Sequence, residues 1–410
     1  MTAIVGVLNK RAAVMAADSA VTVSNDKGVK VYNTATKIFK LSDEHPIGVM
    51  MYDNVEFMGT PWDLIFNLYR QERGSRACGS VQEYAEAFIH FLKDHDCFSS
   101  NESRENYLIQ EISSYYNMVK DETLELLGNE GISLEDEKAV RQKLKEVMES
   151  IAEVYKEAES CAEMDGYTEK QFRKISKEFF DSLMDACAEV HLPTDMREEW
   201  EHGVFMHLRS NIFLNNTSTG IVFVGYGDKD IFPSAFPTVI SGTIDNRLRY
   251  FFNLEKADRI THDNTAWILP FAQEDVMLTM MKGIAPDLYS AITDEVQESM
   301  GNVVCQLTKN LGIPDEQAVE VAAPIIEETQ KRFVERVEEI INEKYVSGLV
   351  DTVEFFNVED MANLAESLIS ITNLQRHITS SEETVGGPID VAVITKTGGF
   401  KWAKQKEERL

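Results

Sequence analysis

The chain has 410 residues, 43% of them hydrophobic, enough to bury a large core and to form more than one domain. Its 69 acidic residues against 40 basic ones give a formal net charge of -29, which argues against nucleic acid and anionic membranes as partners. No apolar run is long enough to span a bilayer, and the odd set Cys78, Cys97, Cys161, Cys187 and Cys305 has no metal-ligand spacing and fits a reducing cytosol.

The chain opens on Met1-Thr2 and the apolar run Ala3-Ile4-Val5-Gly6-Val7, which reads as a strand and not as a signal peptide. Removal of Met1 would leave a free α-amine on Thr2. A second apolar run, 12–17, ends at Asp18-Ser19. After a hairpin at 25–28, lysine and apolar residues alternate from Lys37 to Leu41, a strand pattern. A threonine hydroxyl is a weak nucleophile until a base takes its proton. An α-amine with a pKa of about 7.7 to 8.0 can do so. A nearby Lys37 ammonium favours that deprotonation, and Asp18 can hold the ammonium in place. The plainer alternative is that Thr2 merely precedes a buried strand, Asp18-Ser19 is a turn, and Lys37 is a charge on a strand face. Spacing alone leaves both open.

Residues 46–52 read as a strand running into a loop at Asp53-Asn54. A helix is predicted from Val55 or Pro61 to Arg73, and another over 81–98, with Ser80 and Glu83 at capping-box spacing. Residues 101–211 are helical in period. They break at 128–131 and form an amphipathic helix over 134–157 with Ser133 as its cap. A further helix spans 169–190 behind the Thr168/Gln171 capping pair. Most of the acids there read as solvated faces. His191, His202 and His207 have no ligand set around them. Strands return at 218–227, 237–242 and 247–252. Residues 267–275 lead into a helix reaching Ile284. Helices fill 286–345, with breaks expected at Pro314, Pro324 and Gly348. A helix capped by Asn357 covers 358–371. Residues 386–396 form a turn and a buried strand, and Trp402 lies on an edge.

The opening Thr2, the stretch Val14-Met15-Ala16-Ala17-Asp18-Ser19-Ala20 and the pair Lys37-Ile38 resemble the N-terminal-nucleophile hydrolases, specifically the β subunits of proteasomes and their bacterial relatives. The resemblance covers about 1–98, 217–285 and 355–400. It implies Thr2 as nucleophile, Asp18 as buried carboxylate and Lys37 as activating lysine. It also implies a backbone N–H near Tyr52 as oxyanion donor, although the family's glycine turn is here Met51-Tyr52-Asp53. The family's Gly-Ser-Gly turn, whose serine helps order the site, is matched by Leu269-Pro270-Phe271, with Gln273 the nearest polar residue.

The implied fold is α+β, a four-layer αββα sandwich of two antiparallel sheets with helical insertions. Its core takes 1–98, 217–285 and 355–410, with helical insertions at 99–216 and 286–354. The implied activity is hydrolysis of peptide or amide bonds through an acyl-enzyme on Thr2. Transpeptidation or amide ligation on the same nucleophile, and a non-catalytic proteasome-like structural subunit, are the alternatives. No cofactor or metal is expected. The partners are a peptide or amide substrate and further copies of the chain.

Overall fold

β1 (Ala3–Asn9) is buried along its whole length. A strand covered on both faces needs no polar alternation, so its sequence is continuously apolar. It turns into β2 (Ala13–Ala17), antiparallel, with Ile4 opposite Ala17. Asn9 fixes the turn: its Oδ1 accepts from the Arg11 and Ala12 N–H groups at 2.8 and 3.3 Å. β3 (Val21–Asn25) and β4 (Gly28–Tyr32) form a separate hairpin with Asn25 opposite Gly28. The hairpin expected at 25–28 is therefore present. The computed structural model describes residues 2–25, 28–214, 217–311, 315–379 and 386–406, so Asp26 and Lys27 lie outside the described residues.

The chain divides into two units. The first holds Met1–Ile38, Asp230–Ser234 and Asp258–Leu410, and the second holds Phe39–Lys229 and Ala235–Ala257. The second unit begins around β5 (Ile38–Lys40) and β6 (Ile47–Asp53), then a small hairpin, β7 (Glu56–Phe57) and β8 (Thr60–Pro61). That hairpin occupies 55–61, so the first helix, α1 (Trp62–Arg73), takes the later of the two starts. α2 (Val81–Asp94) stops before Phe98, and a single 3₁₀ turn covers Asp96–Phe98. Ser80 Oγ caps α2 by accepting from Glu83 N–H at 3.2 Å, but the Glu83 carboxylate turns to Gly79 N–H, so no reciprocal box forms.

Four helices follow: α3 (Asn101–Glu130), α4 (Glu137–Glu157), α5 (Glu169–Glu189) and α6 (Arg197–Arg209). α3 ends at Gly131, whose φ of 66° is the left-handed cap that favours glycine. α4 is capped by Asp136, not Ser133, which serves Glu135 N–H one turn earlier. The Thr168/Gln171 box forms in both directions. β9 (Thr219–Gly225), β10 (Ser234–Ile244) and β11 (Arg247–Phe252) complete a sheet of order β11-β10-β9-β6-β5. Asp245 and Asn246, with φ of 49° and 60°, make the tight turn between β10 and β11.

α1 and α2 cover one face of this sheet. Trp62, Phe66 and Phe88 stack in series at 5.7 and 5.4 Å, and Phe88 meets Phe223 of β9 edge-on. Each such buried side chain contributes about 1.5–3 kcal/mol of transfer energy. The helices α3 to α6 share a core of their own. A buried polar network joins them to β10 and β11. Arg249 donates to Glu111 Oε2 at 2.9 Å and to Tyr107 Oη at 2.7 Å, and His207 Nε2 meets the same carboxylate at 2.7 Å.

The chain returns to the first unit with β12 (Asp258–Arg259), β13 (Ala266–Ala272) and α7 (Asp275–Lys282). α8 (Pro286–Leu311) and α9 (Asp315–Ile341) form a long helical pair, followed by a π turn over Asn342–Val346 and α10 (Ser347–Phe355). Pro324 does not break α9, and Gly348 lies inside α10. Both positions are exposed. Water can meet the carbonyl that Pro324 leaves unbonded, and an exposed helical glycine costs only about 1 kcal/mol. Pro314 lies outside the described residues. α11 (Val358–Ile378) is capped by Asn357 as expected but runs seven residues past Ile371. β14 (Asp390–Thr395) and β15 (Gly399–Lys404) close the sheet of order β13-β1-β2-β14-β15, with Trp402 on the edge strand. α11 packs on its face through Met361, Ala365, Leu368 and Ile369 against Ala3, Val5, Val14 and Val391.

The architecture is α+β: the five- and six-stranded antiparallel sheets carry helices, with long helical segments between the strands. Among the described residues no helix is long and apolar enough to cross a membrane.

Candidate active site

β1 and β2 are paired so that Ala3 and Asp18 continue the ladder beyond Ile4 and Ala17. Asp18 N–H donates to the Ala3 carbonyl at 3.1 Å, and Ala3 N–H donates back to Asp18 Oδ1 at 3.0 Å. The side chain of Asp18 is thereby fixed to the peptide group that follows Thr2. The same Oδ1 accepts from Lys37 Nζ at 2.6 Å. Oδ2 accepts from Ala20 N–H and from Gly386 N–H, both at 3.1 Å. Both ionic side chains are almost wholly buried, 2% exposed for Lys37 and 0% for Asp18. A buried carboxylate is tolerated when it is paired and its lone pairs are filled. Asp18 meets that condition with one ammonium and three backbone donors.

Thr2 is itself only 3% exposed, and its carbonyl accepts from Gln273 N–H at 3.1 Å. Here the structure corrects one expectation. Leu269-Pro270-Phe271 does not open a helix. It lies inside β13, with Ile4 opposite Phe271 and Val5 opposite Pro270. β13 is an edge strand of its sheet, a position where a missing N–H is tolerated. The turn before α7 falls later, at Ala272-Gln273-Glu274, where Ala272 has a φ of 65°. Gln273 therefore precedes the first turn of α7, and its N–H is the clasp on Thr2. Arg376 of α11 orders it, donating from Nε to Gln273 Oε1 at 2.7 Å while also pairing with Asp275.

Thr2, Asp18 and Lys37 all lie in the first unit, and Asp18 bonds both Lys37 and the N–H of Ala3, the residue after Thr2. Tyr52 lies in the second unit, on β6 opposite Gly220. Its ring occupies the space that a Cβ on Gly220 would take. The next residue, Asp53, has a φ of 68°, so the chain adopts at this non-glycine position a conformation that favours glycine.

Neither a protein-family model nor a curated protein matches the chain. Among solved structures it is similar to the Anbu (Gly-1) mutant from Hyphomicrobium sp. strain MC1, at 9% sequence identity, over 100% of this chain and 89% of that chain, with a TM-score of 0.31. A likeness that loose carries no functional weight, and the role of the site is read from the geometry of this chain alone.

The tertiary partners of several residues at the site leave no signal in the sequence. Gly386, Arg376 and Ser19 act through contacts far apart in the chain. Ser19 is buried, donates from N–H to the Gly386 carbonyl at 3.2 Å and from Oγ to the Pro388 carbonyl at 2.8 Å. Its own carbonyl accepts from Ala35 N–H at 3.1 Å. Among the described residues no cluster of His, Cys, Asp or Glu could hold a metal ion. His207 is buried against Glu111 instead.

Proposed function

We propose that this protein is an N-terminal threonine hydrolase that cleaves peptide or amide bonds through an ester on Thr2. The observation that carries the reading is the Asp18 carboxylate, buried, held by Lys37 at 2.6 Å and bonded to the Ala3 N–H next to Thr2. A structural charge pair needs no tie to the peptide group of residue 3. A site built to orient residue 2 does.

In this reading Met1 is removed and the freed α-amine of Thr2 takes the proton from its Oγ. The oxygen attacks the substrate carbonyl carbon and forms a tetrahedral oxyanion. The C–N bond breaks, and the leaving amine departs with the proton held by the α-ammonium. Water, deprotonated by the same amine, then attacks the ester and releases the acid, restoring Thr2. The Lys37 charge lowers the cost of the alkoxide, and Asp18 keeps that charge in place. The four-layer αββα sandwich, the insertions at 99–216 and 286–354, a homo-oligomeric state and a cytosolic location belong to the same reading. The test is turnover of a peptide-amide mixture. The wild type is expected to release free amines and Thr2→Ala to release none. Equal release by both would overturn the proposal, and aminolysis products outrunning acid would move it to transpeptidation.

A further inference from the structure

A second lysine is tucked beside this site. Lys406 follows β15, and its side chain is 12% exposed. Its backbone N–H donates to Asp390 Oδ1 at 2.8 Å, and its Nζ lies 3.4 Å from Asp390 Oδ2. The two contacts close a ring that fixes the long side chain. Asp390 is buried and sits opposite Ala17 of β2, one residue before Asp18. The same ammonium donates to Ser19 Oγ at 3.3 Å and to the Ala35 carbonyl. An ammonium has three donors and no acceptor, and here each donor has a partner on a different stretch of chain.

Two of those partners flank the site. Ser19 is the neighbour of Asp18, and Ala35 lies two residues before Lys37. Ser19 and Ala35 are already joined by the Ala35 N–H to Ser19 carbonyl bond at 3.1 Å. Lys406 bridges them a second time, through a side-chain oxygen on one and a main-chain oxygen on the other. It also anchors both to Asp390 on the adjacent strand. We infer that Lys406 is a positioning residue: it holds the two segments that carry Asp18 and Lys37 at the spacing their ion pair requires. The inference rests on the proposed role of that pair at Thr2. Catalytic groups must be held to within about 0.5 Å, and a misplacement near 1 Å costs on the order of 10²-fold in rate. A tether one residue from Asp18 and two from Lys37 acts at that scale.

The test compares Lys406→Met, which keeps the stem and removes the ammonium, with Lys406→Arg, which keeps a cation. Lys406→Met should lower kcat on the order of 10- to 10²-fold, leave KM within about twofold, and displace the acid limb of the pH profile, which reports the Thr2 amine. Lys406→Arg should recover most of kcat. Amide hydrogen exchange should quicken at Ala20, Ala35 and Gly386 in Lys406→Met. If that variant does not fold, Asp390→Asn weakens the same tether from its other end and carries the test. A folded variant with wild-type kcat and pH profile, whatever its melting temperature, would overturn the inference and leave Lys406 a tie for the last strand. Retained activity in Thr2→Ala would instead overturn the proposed function. Exchange then decides the tether alone: faster exchange at the three amides upholds it and unchanged exchange overturns it.

Discussion

Asp18 accepts four hydrogen bonds, and their sources explain how its substitution should differ from that of Lys37. Three come from backbone N–H groups of Ala3, Ala20 and Gly386, and one from the Lys37 ammonium. Removing the ammonium leaves the carboxylate with three donors, so Lys37→Ala should fold with reduced stability and lose on the order of 10²–10⁴ in turnover. Asp18→Asn keeps much of the shape and should lose the same or less. Circular dichroism establishes that each variant is folded before rates are compared. Wild-type turnover in both folded variants would remove Asp18 and Lys37 from the mechanism. The pairing of Asp18 with Lys37 is legible in the sequence because one lies at the end of an apolar run and the other within an alternating one. The role of Gln273 is not, because residues 267–275 read locally as the approach to a helix. In an edge strand Pro270 is harmless, and the turn falls three residues on.

The buried network between α3, α6 and β11 works at the scale of elements. Burial by itself would push Glu111 up, but the Arg249 guanidinium and the His207 N–H outweigh it and hold the carboxyl down at about 2. Burial lowers His207 below its ordinary value, against the pull of Glu111. The geometry agrees, since Nε2 faces the carboxylate while Nδ1 has no hydrogen-bond partner among the described residues. Both groups therefore bind protons more readily in the unfolded chain, and stability rises with pH across their window. The His207 contribution is complete above about 6.5 and is lost as pH falls below it, with that of Glu111 following below about 4.5. The melting temperature of wild type should fall between pH 7 and pH 5 more steeply than that of His207→Gln. Parallel profiles would contradict the assignment. Glu111→Ala should cost about 3–5 kcal/mol in denaturant unfolding, because Arg249 is left buried without its anion. None of this is visible in sequence. Glu111 reads there as one acid among many on a solvated helix, and only the docking of α3 on β11 turns it inward.

At the scale of the molecule, the sequence shows the order of strands and helices well and their partition poorly. β1, β2 and β14 are apolar runs that declare themselves. The membership of β13 in the same sheet, next to β1, depends on contacts some 260 residues apart, beyond any local pattern. Of the four helices between 101 and 209, the period locates α3, α4 and α5 within a few residues and does not mark α6. Those between 286 and 355 are more continuous than their prolines and glycines suggest, because exposed helices tolerate local losses that buried ones do not. The net charge of -29 argues against polyanionic partners without identifying a substrate. The central claim therefore returns to the second residue of the chain. Its most direct test is the mass of the N-terminal peptide after exposure to an electrophile that needs both a hydroxyl and a free α-amine. The account predicts a peptide beginning at Thr2 and carrying the adduct in wild type, partial labelling in Thr2→Ser, and none in Thr2→Ala. Retained Met1 in active protein, or equal labelling of wild type and Thr2→Ala, would contradict it.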